Sequence, residues 1–230
     1  MEVTSTHILD NPIWNALQTG DRPYAWGNEW TKGIDRSMGA FVGMRNYSEE
    51  AWRTLRALTP ADSVAVMFTT NKLDVPSNWK VVLEKVLLQM VHDHKSSSSY
   101  SSGMIRELGE EHIPAMLALT HLTKPGPFFQ RTIDFGHYQG IFENGELVSM
   151  AGQRFKPDPF TEMSAVCTHP ASLGKGYAGK LIASQVNMIR DSGRIPFLHV
   201  YPDNKSAISL YRKHGFEPRR EMMVYVISHE

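Results

Sequence analysis

Val166-Cys167-Thr168-His169-Pro170-Ala171-Ser172-Leu173-Gly174-Lys175-Gly176-Tyr177-Ala178-Gly179 runs from a short apolar segment through a glycine-rich turn into an apolar-periodic segment. Three glycines, Gly174, Gly176 and Gly179, fall within six residues. Glycine lets backbone N–H groups approach a ligand closely, and a helix start adds unpaired donors and a partial positive charge. Such a strand-to-helix junction suits an anion, a pyrophosphate in particular. A plain tight turn is the competing reading.

Working outward, residues 161–168 predict a strand and 176–190 a helix. The helix has Tyr177, Leu181, Ile182, Val186 and Ile189 on its buried stripe and Gly193 where a left-handed residue ends it. A buried strand follows at 196–201, then a helix at 204–214 and a final strand at 222–227. Asn204, Ala207, Ile208 and Tyr211 share one face of that helix, and Gly215-Phe216 turns the chain back. Taken alone, Asn204 is an N-cap and Tyr211 a core aromatic. Upstream, 104–108 predicts a short strand and 110–122 an amphipathic helix with Ile113, Met116 and Leu117 inward. Pro125-Gly126-Pro127 stops that helix. Strands at 138–142 and 147–155 are joined by Glu143-Asn144-Gly145-Glu146, the pattern of a type I′ hairpin turn. The order is β-α-β-β-β-α-β-α-β.

The preceding third differs in composition. All five tryptophans, Trp14, Trp26, Trp30, Trp52 and Trp79, lie there. Residues 49–58 predict a helix with Ser48 as N-cap and Ala51, Leu55 and Leu58 on one stripe. Residues 63–69 predict a strand, and 79–92 fit a strand or a helix equally. The run from Lys95 to Gly103 is rich in serine, so it reads as a linker. The expected division is a Trp-rich α/β region at 1–94, a linker at 95–103 and a second domain at 104–230. The Trp-rich region is expected to pack on the second domain and wall its acceptor pocket.

Formal net charge is zero across 230 residues, which gives nucleic acid and anionic membranes no whole-body attraction. Arg212, Lys213, Arg219 and Arg220 read as a solvated basic edge. The single cysteine, Cys167, excludes an intrachain disulfide, and no apolar stretch reaches the roughly 20 residues of a membrane span. The N-terminus shows no signal-peptide pattern, so a cytoplasmic protein is expected. Self-association as a homodimer stays open.

Together, Glu162 to Pro170, Leu173 to Ala178, Pro196 to Val200, and Asn204 to Tyr211 with Gly215-Phe216 resemble the GCN5-related N-acetyltransferase superfamily, and within it the FR47-like branch. The resemblance covers roughly residues 104–227 and implies a mixed, largely antiparallel sheet flanked by helices, splayed between 161–168 and 196–201. It implies acetyl-CoA as donor, a primary amine on a small molecule or peptide as acceptor, direct attack, and no metal. The backbone at Val166, Cys167 and Thr168 would pair with the pantetheine arm. Leu173, Gly174, Lys175, Gly176, Tyr177, Ala178 and Gly179 would wrap the pyrophosphate, with Lys175 adding charge. Leu173 departs from the polar residue the family places first in this motif. Asn204 would bond the pantetheine amide, with Ala207 on the same face. Tyr211 would protonate the leaving thiolate.

An amine with a pKa near 10.4 must lose its proton, and Glu162 is the leading base, a role that a pKa raised by burial would suit. His137 and His199 are weaker alternatives. A nucleophilic Cys167 would need a base and an electropositive pocket, and strand alternation turns it to the face opposite Val166 and Thr168, so covalent catalysis is not expected. His92 and His94 share a strand face without evident further metal ligands. The rival function is a non-catalytic acyl-CoA sensor or degenerate module.

Overall fold

The computed structural model describes residues 7–93 and 102–229. A turn at Ile8–Asp10 leads into α1 (Pro12–Gln18). A small antiparallel sheet follows: β1 (Ala25–Gly27), β2 (Thr31–Ile34) and β3 (Val42–Met44). Helix α2 (Glu49–Leu58) starts where Ser48 accepts the Ala51 N–H at 3.3 Å. Glu49 and Glu50 in its first turn and Arg56 in its last complement its dipole. Strands β4 (Val64–Thr69) and β5 (Lys80–His92) come next. The ambiguous segment at 79–92 is thus a strand, in keeping with its β-branched Val81, Val82, Val86 and Val91.

The second part keeps the expected order: β6 (Ile105–Glu107), α3 (Ile113–Thr123), β7 (Gln139–Glu143), β8 (Glu146–Gln153), β9 (Phe160–Thr168), α4 (Tyr177–Asp191), β10 (Ile195–Val200), α5 (Lys205–Lys213) and β11 (Phe216–Ser228). Asn144 and Gly145 take φ of 49° and 87°, the left-handed pair that a type I′ turn requires. Helix α3 departs from the expected amphipathic stripe. Met116 is buried, but Leu119 and Thr120 join it while Ile113 and Leu117 stay half-exposed. Its apolar residues encircle the helix, so the stripe cannot be read from spacing alone.

The main sheet has the order β4-β11-β5-β10-β9-β8-β7-β6, and only β9 and β10 run parallel. Strand β5 pairs with β11 along nearly its whole length and with β10 at Leu88–Val91. Strands β4 and β5 of the Trp-rich region therefore lie in one sheet with β6 to β11. The serine-rich residues 95–101 lie outside the described residues.

Each face of the sheet carries its own core. On one face Leu9, Ile13 and Leu17 of the N-terminal segment pack with Phe41, Phe68 and Phe197. On the other, Ile182 and Val186 of α4 and Ile208 of α5 pack with Met163 and Leu198. Side chains alternate along β10, so Phe197 and His199 face the first core and Leu198 and Val200 the second. No helix among the described residues is long and apolar enough to cross a membrane.

Strand pairing between β9 and β10 covers only Ile195–Phe197 against Phe160–Glu162. Beyond that point the two strands diverge. Phe197 stands at this fork and is fully buried. Phe197→Ala is expected to lower unfolding free energy by about 3–5 kcal/mol, read from denaturant titration.

Candidate active site

A cavity of about 390 Å³ occupies the fork. Asn204, Ala207 and Tyr211 line it from the helical face, and Met163 to Thr168 supply the unpaired edge of β9. Arg154, Glu162 and His199 line it on the opposite face. A bulge sits on this edge. Met150 pairs with Cys167 and Gly152 with Ser164, so three steps along β9 match two along β8. Ala165 absorbs the extra residue in a left-handed conformation, with φ of 54°. Such a conformation is costly for a residue with a Cβ and persists only where its surroundings hold it.

Glu162 is 1% exposed. Arg154 donates from Nη2 to Oε1 at 2.6 Å and from Nε to Oε2 at 3.1 Å. His199 Nδ1 lies 2.9 Å from Oε1. The guanidinium itself is caged by aromatic rings, its Cζ lying 4.9 Å from the Phe41 centroid, 5.7 Å from Phe68 and 4.7 Å from Phe155. Hydrogen bonds also fix the histidine tautomer. Arg219 donates to Gln89 Oε1 at 2.7 Å, so the Gln89 amide nitrogen faces Leu9 O at 2.9 Å and His199 Nε2 at 3.0 Å. Nε2 therefore accepts, and Nδ1 carries the proton that it donates to Glu162. Arg219 and Arg220 both reach Asp10, at 2.6 and 3.1 Å. These two arginines are thus ion-paired to Asp10 and only partly exposed, unlike the freely solvated edge expected of them.

Burial alone raises the carboxyl pKa of Glu162, but the Arg154 and His199 partners outweigh it and hold it down at about 2. This reverses the expected raised value. The cause is Arg154, which was not among the expected site residues. The available signal was register: Arg154 N donates to Glu162 O across the β8–β9 hairpin, which makes the two side chains a cross-strand pair of opposite charge.

Tyr211 is 9% exposed, and burial pushes its phenol above the ordinary range, so it stays protonated at neutral pH. Burial likewise pushes the Cys167 thiol up to about 11, which leaves no thiolate for nucleophilic attack. Asn204 caps α5, its Oδ1 accepting the Ala207 N–H at 3.1 Å. His137 lies outside the cavity, its carbonyl accepting from Gln185 at 2.7 Å. His92 is buried against Phe216, and His94 lies outside the described residues. Among the described residues no three His, Cys, Asp or Glu side chains are grouped to hold a metal.

The glycine-rich turn stands beyond the Thr168 end of β9, and Leu173 to Gly179 do not line the cavity. Gly174 and Gly176 take φ of 78° and 76°, and Gly176 caps α4. Tyr177, Ala178 and Gly179 open α4, so their N–H groups have no partner within the helix. Gly179 has a second reason to be glycine: a Cβ there would lie 3.2 Å from His214 Nε2 of the segment closing α5. Lys175 Nζ is engaged by Glu143 at 2.8 and 2.9 Å, and Ser172 and Tyr177 donate to the same carboxylate. The side chain expected to meet phosphate is thus neutralised, and the turn presents backbone donors. Leu173 is 65% exposed.

Residues 138–225 match the FR47-like protein family. A GNAT-family protein from Novosphingobium aromaticivorans is 31% identical, with a TM-score of 0.91 over 97% of this chain and 99% of that one. A GCN5-related N-acetyltransferase from Kribbella flavida shares the fold at 15% identity, with a TM-score of 0.64 over 94% of each chain. The N-alpha-acetyltransferase RimI of Mycobacterium tuberculosis is 33% identical over 84 residues, 35% of this chain and 52% of that protein. That match spans about half the length of the curated relative. A forked sheet with one parallel pairing, a bulged strand at the fork and a full-length relative at this identity lead to one conclusion: the chain belongs to the GCN5-related N-acetyltransferase family.

Proposed function

We propose that the protein is an N-acetyltransferase that moves an acetyl group from acetyl-CoA to a primary amine. The observation that carries this is the cavity running past the unpaired edge of β9, with Tyr211 on one face of the sheet and Glu162 on the other. A free strand edge can pair with an amide-bearing arm as an added strand. The backbone at Val166, Cys167 and Thr168 would hold the pantetheine arm, and Asn204 and Ala207 would flank it. The first turn of α4, with Gly174 and Gly176, would hold the pyrophosphate. The bound donor supplies an acyl group on a thiol leaving group.

The residues of this chain then have three tasks. Tyr211, protonated through its burial, gives a proton to the departing sulfur. Donors of the bulge around Ala165 and Val166 meet negative charge as it develops on oxygen. Glu162 holds the acceptor nitrogen. Its Oε1 already takes two hydrogen bonds and its Oε2 only one, so Oε2 is the open acceptor. A carboxylate held near pKa 2 cannot strip a free ammonium at neutral pH. The neutral amine is therefore the reacting form, and its N–H passes to Oε2 once bond formation makes that N–H acidic. His199 is a positioning residue that keeps Glu162 in place.

A second reading, acyl-CoA binding without transfer, draws on the same low pKa of Glu162. Incubation with acetyl-CoA and a panel of primary amines, followed by mass detection of N-acetylated product, separates the two. Tight CoA binding with no product would favour the second reading.

With an active acceptor in hand, Tyr211→Phe should lower kcat by about 10²–10⁴-fold while acetyl-CoA affinity is nearly kept, as checked by calorimetry. The acidic limb of kcat/KM should climb about tenfold per pH unit and follow the pKa of the amine used. Two amines of different pKa should displace that limb by the difference between them. A limb fixed at one pH for both would place the titrating group on the protein. Glu162 has a folded-state pKa below its ordinary 4.5, so its contribution to stability is complete above that value and is lost as pH falls toward about 2. Urea midpoints of Glu162→Gln should accordingly fall less steeply across this window than those of the parent.

A further inference from the structure

We infer that the acceptor is a small primary amine with an uncharged, apolar body, of the alkylamine or arylalkylamine kind. The inference rests on the acetyl-transfer reading of the site. Beyond Glu162 the cavity is walled by Phe41, Val66, Phe68, Leu83, Leu87 and Val224. These side chains come from the segment before β3 and from β4, β5 and β11, and they offer no hydrogen-bonding atom. The acceptor amine meets Glu162 at the fork, and its body then extends along this wall.

Charge matching narrows the body further. The charged groups lining this end of the cavity are Arg154 and Glu162, which neutralise each other through two hydrogen bonds. At the exposed rim Lys85 rests its Nζ 5.3 Å from the ring centroid of Tyr201. The Tyr201 hydroxyl and His199 are the polar atoms beside the apolar wall. Behind Arg154 and Glu162, Arg219 and Arg220 share the single carboxylate of Asp10, and Arg219 also donates to Gln89. A second ammonium, as in a polyamine, would lose its water against Phe41, Phe68 and Leu83 without a carboxylate to receive it. A carboxylate, as in a free amino acid, would find the only nearby guanidinium already shared with Glu162 and would lie beside a like charge. Lys124, the residue that ends α3, also lines the cavity and adds a cation, which further disfavours a second ammonium there. A peptide acceptor would bring backbone N–H and C=O groups to a wall of apolar side chains, where each unpaired polar group is costly.

The test compares hexylamine, hexamethylenediamine, aminocaproate and an alanine-initiated tetrapeptide. Two quantities are measured: kcat/KM for acetyl transfer, and Kd for the protein saturated with CoA. Hexylamine should lead the other three by at least about tenfold in both measurements. Leu83→Glu places a carboxylate on the half-exposed part of the wall and should raise hexamethylenediamine relative to hexylamine by about tenfold. Transfer without this preference, or with the diamine, amino acid or peptide equal or ahead, overturns the inference and leaves the transferase reading intact. Absence of transfer to every amine, with hexylamine still bound about tenfold more tightly, removes the transferase reading and upholds the apolar pocket. Equal or reversed Kd values overturn the pocket whatever the kinetics show.

Discussion

Pairing between β9 and β10 ends at Glu162 and Phe197, and the site follows from that break. A sheet strand is normally consumed on both sides by its neighbours. Here β9 is matched by β8 along its length but loses β10 after three residues. The backbone groups of Met163 to Thr168 on that side have no strand partner, and a channel opens between the two faces of the sheet. Strand β10 stays paired with β5 through Val200 after it leaves β9, and its side chains are anchored in the cores on both faces. Closing the fork would mean pulling these side chains out of two dense cores, where such losses run to several kcal/mol.

The fork also explains a buried charge cluster. Arg154, Glu162 and His199 sit where two strands separate and backbone pairing can no longer satisfy polar groups. Ion pairs in such places give little net stability against a hydrophobic replacement, since desolvation offsets their attraction. Their value lies in geometry. Hydrogen bonds run from Arg154 through Glu162, His199 and Gln89 to Arg219 and Asp10. This chain ties the N-terminal turn and β11 to the carboxylate at the fork. Each member is fixed by the next, so Glu162 keeps one orientation and one ionisation state.

Elements set by neighbours in sequence could be read directly. The Asn144-Gly145 turn, the five-residue stripe of α4, the cap at Ser48 and the glycine at the start of α4 each depend on contacts within a turn or two. What escaped the sequence depends on distant partners. Strand β5 lies between β10 and β11, and no local pattern reports that insertion, so a change in composition looked like a domain boundary. The tryptophans suggested an aromatic acceptor wall. Trp52 and Trp79 themselves pack in a core with Tyr225, while Phe41 and Phe68 of the same region reach the cavity. Glu162 lines the cavity, but the direction expected of its pKa shift is reversed. That direction is set by Arg154, eight residues away and aligned only by the hairpin register.

Donor and acceptor ends of the cavity differ in the kind of atom that forms them. On the proposed reading the donor would be held mainly by a strand edge and a helix start, both backbone, so the unusual Leu173 would cost little. Even Lys175 is turned away onto Glu143. At the acceptor end the surface is made of side chains from segments far apart in sequence, joined only by the fold. A change at Phe68 or Leu83 alters that surface without touching the donor site. On the proposed reading the motifs of residues 163–211 would bear mainly on the donor, while the body of the acceptor would be met by residues outside them, such as Phe68 and Leu83.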